Sequence, residues 1–201
     1  MNSIITLLLL LFLAGCREHP QQNESPKEIL PPEKPQSPIE AIRVAWSEAI
    51  KMRRGKDLDS TSVTYDCAGE RAGKIRFFSQ NGAVLLIGHT YNEYSHFSAA
   101  QWYLVRDGNL IFAFEDERTW AFVDANATKD NVVQRRFYAV DGKSVRCLLK
   151  TFSIFSNAEK PNENTIPNKI IECDGFARVE KDFKQLYGLR AKSGKIDCLE
   201  K

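Results

Sequence analysis

Three clusters of residues have the right types for chemistry. His89, Glu93 and His96 stand within eight positions of one another, close enough to supply a base and its partner, or metal ligands. A His-Glu-x-x-His zinc site, however, needs a helix to bring both imidazoles to one face, and this segment has the pattern of a strand end running into a solvated loop. Glu115, Asp116 and Glu117 precede Arg118. Paired carboxylates hydrolyse glycosides when they flank a bond, whereas adjacent carboxylates in a turn are ordinarily solvated, and an acidic turn is the expectation here. Ser, His and Asp all occur, but the chain has no Gly-x-Ser-x-Gly, no P-loop and no dinucleotide fingerprint. No catalytic residue, metal site or cofactor is therefore assigned.

The third cluster is aromatic. Tyr91, Tyr94, Phe97, Trp102 and Tyr103 crowd one stretch. Some must be core positions of strands, but Tyr and Trp also dominate binding hot spots, so this stretch is the candidate contact surface, carried on a loop. Arg135, Arg136, Lys143 and Arg146 add positive charge further on. They would suit lipid phosphate or an acidic partner, or simply form a charged strand face in water. The net charge of +2, with both signs mixed along the chain, gives no concentrated basic face for nucleic acid.

The elements that must carry these residues are marked by their periods. Ser37-Pro38-Ile39-Glu40 is a capping box with proline at the first helical position. Ile39, Ile42, Trp46, Ala49 and Ile50 follow at helical spacing, and Lys51, Arg53 and Arg54 precede Gly55, so a helix of about sixteen residues with one apolar stripe is expected. The period then changes to two. A first strand spans 60–69, and three hairpins follow, turning at Asn81-Gly82, Asp107-Gly108 and Asp141-Gly142. These dipeptides favour type I′ turns, which need positive φ at both positions. Two-residue turns predict that Phe78 faces Leu85, Tyr103 faces Phe112 and Tyr138 faces Val145. Residues 151–169 lose periodicity and carry two prolines, so they read as a loop. Phe176, Val179, Phe183 and Leu186 mark a second helix of about eleven residues ending at Gly188, followed by an irregular tail. The fold class is α+β: an antiparallel meander of six to eight strands with an N-terminal and a C-terminal helix on it.

Upstream, an apolar run from Ile4 to Leu13 ends at Ala14, Gly15 and Cys16. Its length is about half of the ~20 residues that a membrane-spanning helix needs, and it suits a signal-peptide core. Leu13-Ala14-Gly15-Cys16 resembles the lipobox of bacterial lipoproteins. The resemblance implies that residues 1–15 are a cleaved signal peptide and that Cys16 carries a thioether-linked diacylglycerol, usually with a further acyl chain on its amino group. Two or three chains give durable anchoring where one does not. Arg17, in place of Asp, implies passage to the outer membrane. Residues 16–37, rich in Pro, Glu, Gln and Ser, would form the lipidated, extended tether, and 38–201 the single globular domain. No second apolar run is long enough to span a bilayer.

Cys67, Cys147, Cys173 and Cys198 remain. Four cysteines outside a reducing compartment suggest two disulfides, and the sequence leaves all three pairings open. The most local option joins Cys173 to Cys198, which would leave Cys67 with Cys147. A zinc site is the rival use, against which stands the absence of any Cys-x-x-Cys.

The alternating hairpins over 39–150 also resemble a group of uncharacterised lipoproteins of Gram-negative bacteria with repeated aromatic hairpins, which implies fold and location but no activity. Tyr65-Asp66-Cys67-Ala68-Gly69 and the serine-containing stretch from Ser95 faintly resemble the membrane-bound lysozyme inhibitors. The function expected is a lipid-anchored, periplasm-facing binding or assembly module whose partner is a protein or an envelope polymer. The alternatives are an envelope hydrolase with His89 or His96 as base, a lysozyme-inhibitor-like lipoprotein, or a carrier of a small apolar ligand.

Overall fold

The structure, a computed structural model, describes residues 37–199. The expected signal peptide, the lipobox-like stretch with Cys16 and the expected tether up to residue 36 lie outside the described residues.

Helix α1 (Pro38–Gly55) begins as its capping box dictates, with Glu40 N–H donating to Ser37 Oγ at 3.2 Å. Gly55 is its last residue, and the left-handed cap falls on Lys56, at φ 63°. Nine strands then form one sheet: β1 (Asp59–Asp66), β2 (Arg71–Gln80), β3 (Ala83–Glu93), β4 (Phe97–Arg106), β5 (Asn109–Asp124), β6 (Ala127–Val140), β7 (Lys143–Phe155), β8 (Lys169–Ile171) and β9 (Gly194–Ile196), with helix α2 (Phe176–Gly188) between the last two. The order across the sheet is β8-β7-β6-β5-β4-β3-β2-β1-β9. It is an antiparallel meander except that β9 lies parallel to β1.

The expected six to eight strands are nine because a three-residue strand closes each edge. β8 starts on Lys169, the last residue of the stretch expected to be a loop, whose first five residues instead continue β7, and β9 lies in the stretch expected to be irregular. Segments this short carry no alternation to read, and each is fixed by a disulfide. Cys67–Cys198 ties the end of β1 to the residue two past β9, and Cys147–Cys173 ties β7 to the residue two past β8. The most local pairing, Cys173 with Cys198, is thus not the one formed. Sheet edges are exposed templates for unwanted pairing, and here both are covered by stapled short strands. Structural disulfides persist in oxidising compartments, and the two here point to a location outside the cytoplasm. No described helix is long and apolar enough to cross a membrane.

The three predicted turns are present, with φ of 51° and 81° at Asn81-Gly82, 51° and 77° at Asp107-Gly108, and 50° and 73° at Asp141-Gly142. The register beyond them differs from expectation in the same way each time. Phe78 opposes Leu86, Tyr103 opposes Ala113 and Tyr138 opposes Arg146, because Leu85, Ile111 and Val145 are each the extra residue of a β-bulge. A bulge adds local right-handed twist, a demand that the turn residues do not encode.

Alternation sends successive side chains to opposite faces. On one face Ile42 and Ala49 of α1 meet Leu104, Phe112, Tyr138 and Leu148, with Trp46 against Phe112 at 4.9 Å. On the other, Phe176, Val179, Phe183 and Leu186 of α2 cover Ile87, Tyr103, Ala113 and Phe137. The helices therefore sandwich the sheet. The loop 156–168 folds over the α1 face, where Glu163 receives Lys150 Nζ on its backbone oxygen and Gln134 Nε2 on its carboxylate.

Candidate functional site

Beyond the apolar row Ile87, Tyr103, Ala113 and Phe137, the next cross-strand row on the α2 face turns polar. His89 of β3 opposes Gln101 of β4, Gln101 opposes Glu115 of β5, and Glu115 opposes Arg135 of β6. These are inward positions by strand parity, and His89 and Glu115 are 2% and 0% exposed. Buried polar groups must find partners, and here they find one another. Tyr65 Oη lies 2.8 Å from His89 Nε2, His89 Nδ1 lies 2.9 Å from Gln101 Oε1, and Gln101 Nε2 donates to Glu115 Oε1 at 3.3 Å. Arg178 of α2 closes the chain, donating to both Glu115 oxygens at 2.9 and 2.7 Å.

Glu115 sets the direction of this chain. A carboxylate only accepts, so Gln101 turns its amide nitrogen to Glu115 and its oxygen to His89. His89 Nδ1 then donates, and Nε2 accepts from the Tyr65 hydroxyl. Burial, with the positive Arg71 adding to it, lowers the His89 pKa to about 4 against the opposing hydrogen bond to Gln101. Burial likewise raises Tyr65 to about 12. Burial opposes the charge of Arg178, and the hydrogen bonds and charge of Glu115 outweigh it, so that guanidinium is held above its ordinary value. The imidazole is neutral with both nitrogens engaged. Tyr65 reaches it across β2 only because Gly73 lies beneath its ring: a Cβ there would stand 2.6 Å from the phenol oxygen.

This row floors a cleft of about 600 Å³ beside α2. The apolar stripe of α2 faces the sheet, and the adjacent stripe of Arg178, Lys181, Asp182 and Gln185 overhangs the cleft at i, i+3, i+4 and i+7 spacing. Arg71, Tyr91 and Glu117 stand on the sheet side. Glu117 accepts from Arg135 at 2.6 Å. The Arg71 guanidinium lies 4.2 Å over the Tyr91 ring, whose other neighbour is His89, stacked at 4.8 Å. Arg71 Nε is 3.4 Å from Glu93 Oε1, near enough for charge attraction, yet its N–H is buried without a hydrogen bond. The hydroxyl of Tyr103, fully buried beneath Phe183, is the other orphan of this region, and Glu115, Asp182 and Arg178 act on it electrostatically. A second hollow of about 660 Å³ lies on the α1 face over Ala72, Thr90, Ser98 and Ala100. It is open sheet surface without a comparable buried polar floor.

The structure distributes the aromatic cluster. The expected loop is a turn over 94–96 between β3 and β4. Tyr91 lines the cleft, and Phe97 sits beside it at 5.9 Å. Tyr94 projects from the turn, 71% exposed. Trp102 points to the opposite face, over Gly88 and under Arg53 at 4.6 Å. Tyr103 is core. The five do not share one surface. His89, expected near a solvated strand end, is buried within β3, and His96 is stacked on Trp120 at 4.3 Å away from the cleft lining. Glu115–Glu117 are not a turn but the middle of β5, Glu115 and Glu117 facing α2 and Asp116 facing away. Arg135 and Arg136 likewise part company, Arg136 lying over Phe114 at 4.8 Å on the other face. Among the described residues no cluster of His, Cys, Asp or Glu is arranged to hold a metal.

Tyr65, Arg71, Gln101 and the α2 stripe were not singled out in the sequence. The signal for the first three was polarity at inward-facing positions of strands, and for the last a polar stripe alongside an apolar one. No protein-family model, curated protein or solved structure matches this chain.

Proposed function

We propose that this chain is a lipid-anchored, periplasm-facing lipoprotein acting as a non-catalytic binding module of the bacterial envelope, and that the cleft beside α2 is its binding site. One observation carries the reading. The cleft is large enough for a small ligand or the end of a larger one, and the titratable groups of its floor are already committed to one another. His89 has no free nitrogen to take a proton from a substrate, and Glu115 has both oxygens on Arg178. A floor of this kind presents fixed dipoles and a fixed shape, which is what recognition needs; general-base catalysis needs a group with an open position. The charged side chains Arg71, Glu117, Lys181 and Asp182 in the lining also favour a polar ligand over a wholly apolar one. The lipid on Cys16 and the tether would hold the cleft within reach of envelope components.

The test is crosslinked affinity capture of the full-length lipidated chain from whole envelopes, compared with Gln185→Trp, which fills the cleft from α2. A recurrent envelope component captured by the first and lost by the second supports the reading. Equal capture by both overturns the placement of the site.

A further inference from the structure

The walls of the cleft differ in what they still have to offer. Arg178 places Nη1 on Asp182 and Nη2 on Glu115. Arg71 is less fully used. It hydrogen-bonds the Tyr65 hydroxyl, but its Nε–H makes no hydrogen bond, and Glu93 at 3.4 Å from Nε is too far for a short charge-assisted one. Its side chain is only 14% exposed and lies flat on Tyr91, so little rotamer freedom remains to be lost on binding. Lys181, on the overhanging stripe of α2, has no ion pair among the described residues. Two cations on facing elements thus line the cleft without a full set of partners, and anionic oxygens are what they would donate to.

The rest of the lining limits the kind of anion. Glu93, Glu117 and Asp182 stand on the same walls and would repel a ligand of several negative charges, while Glu117 and Asp182 would accept from N–H groups. The Tyr91 ring is already engaged by Arg71 at 4.2 Å and by His89 at 4.8 Å, which makes it a poor platform for a sugar ring. The combination is one carboxylate carried on a chain of amides.

We infer that the cleft takes the free C-terminal end of a short peptide, its carboxylate held by Arg71 and Lys181 and its amide N–H groups by Glu117 and Asp182. A volume of about 600 Å³ accommodates a few residues of such a chain. This inference rests on the cleft being the binding site.

The experiment is an NMR titration of the isotope-labelled full-length chain with N-acetyl-alanyl-alanine and, separately, with its C-terminal amide. The free acid is expected to shift signals of Arg71 and of 178–185, and the amide to bind about tenfold or more weakly, the loss of a charge-assisted contact. Lys181→Gln, an exposed change that leaves the fold alone, is expected to bring the acid down to the level of the amide, and Arg71→Gln to do the same while the signals of α1, on the opposite face of the sheet, stay in place. Equal binding of acid and amide overturns the carboxylate assignment, as does failure of both to bind while capture remains sensitive to Gln185→Trp. Capture insensitive to Gln185→Trp removes the cleft reading itself, and the peptide inference with it.

Discussion

Acid should unfold this protein partly through His89. The imidazole is neutral and buried, its pKa lowered from 6.5 to about 4 chiefly by the cost of burying its charge. Between those values the unfolded chain binds a proton that the folded chain refuses, so stability rises with pH across the window. The contribution is fully present above about pH 6.5 and is lost as pH falls towards about 4. At about 1.4 kcal/mol per unit, most of the window is worth about 2–3 kcal/mol. Other groups also titrate in acid, so the clean measurement is a difference. His89→Gln cannot titrate and loses the intact Tyr65–His89–Gln101 chain, which makes it the less stable protein at neutral pH. Urea unfolding of both, disulfides intact, at a series of pH values from 7.5 to 4.5 should show the gap between them narrow by about 2–3 kcal/mol. An NMR titration should show the His89 imidazole still neutral at about pH 5. Parallel curves, with the gap constant to within about 0.5 kcal/mol, would refute the assignment of a buried, neutral, doubly bonded imidazole.

Three further outcomes follow from the same geometry. Arg178→Ala strips Glu115 of its cation, and because Arg178 is itself half-exposed the cost should be about 2–4 kcal/mol; in a Glu115→Gln background the same change should cost under about 1 kcal/mol, as a double-mutant cycle in urea would register. The disulfides close loops of 131 and 26 residues, so chain entropy assigns about 5 kcal/mol to Cys67–Cys198 and about 3–4 to Cys147–Cys173. Paired Cys→Ser variants should rank in that order by thermal unfolding, and the first pair should lose hydrogen-exchange protection at β9. Gly73→Ala drives a methyl group into the Tyr65 ring and should cost about 1–3 kcal/mol while moving the His89 ring signals, whereas Gly82→Ala, at a turn position with no atom within 4 Å, should leave them in place.

Much of the scaffold was legible because it is specified locally. Ser37 and Pro38 start α1, three Asn-Gly or Asp-Gly pairs turn the hairpins, and Phe176, Val179, Phe183 and Leu186 mark α2 at the spacing found. What escaped is set by partners distant in sequence. The bulges at Leu85, Ile111 and Val145 answer to the twist of the whole sheet, and β8 and β9 exist because disulfides hold three residues against an edge. Of the site, the sequence offered Tyr91 as a contact residue, and His89, Glu93, Glu115, Glu117 and Arg135 only as groups whose ordinary reading was solvated loop, turn or strand face. The row His89, Gln101, Glu115 and Arg135 is contiguous only after four strands are aligned. A lone polar residue in each strand has the appearance of surface until parity shows that it points inward. Alternation also explains why a dense aromatic stretch did not become one surface, since Trp102 and Tyr103, adjacent in sequence, must face opposite layers.

Placement of the partner site in the cleft beside α2 is tested most directly by a photo-crosslinking residue introduced in living cells at Lys184, exposed on α2 next to Gln185 of the cleft lining, and at Ile170, exposed on the β8 edge. A discrete crosslinked species is expected from position 184, abolished by Gln185→Trp, and none from position 170. A species from position 170 alone, or one from position 184 that survives Gln185→Trp, would contradict that placement.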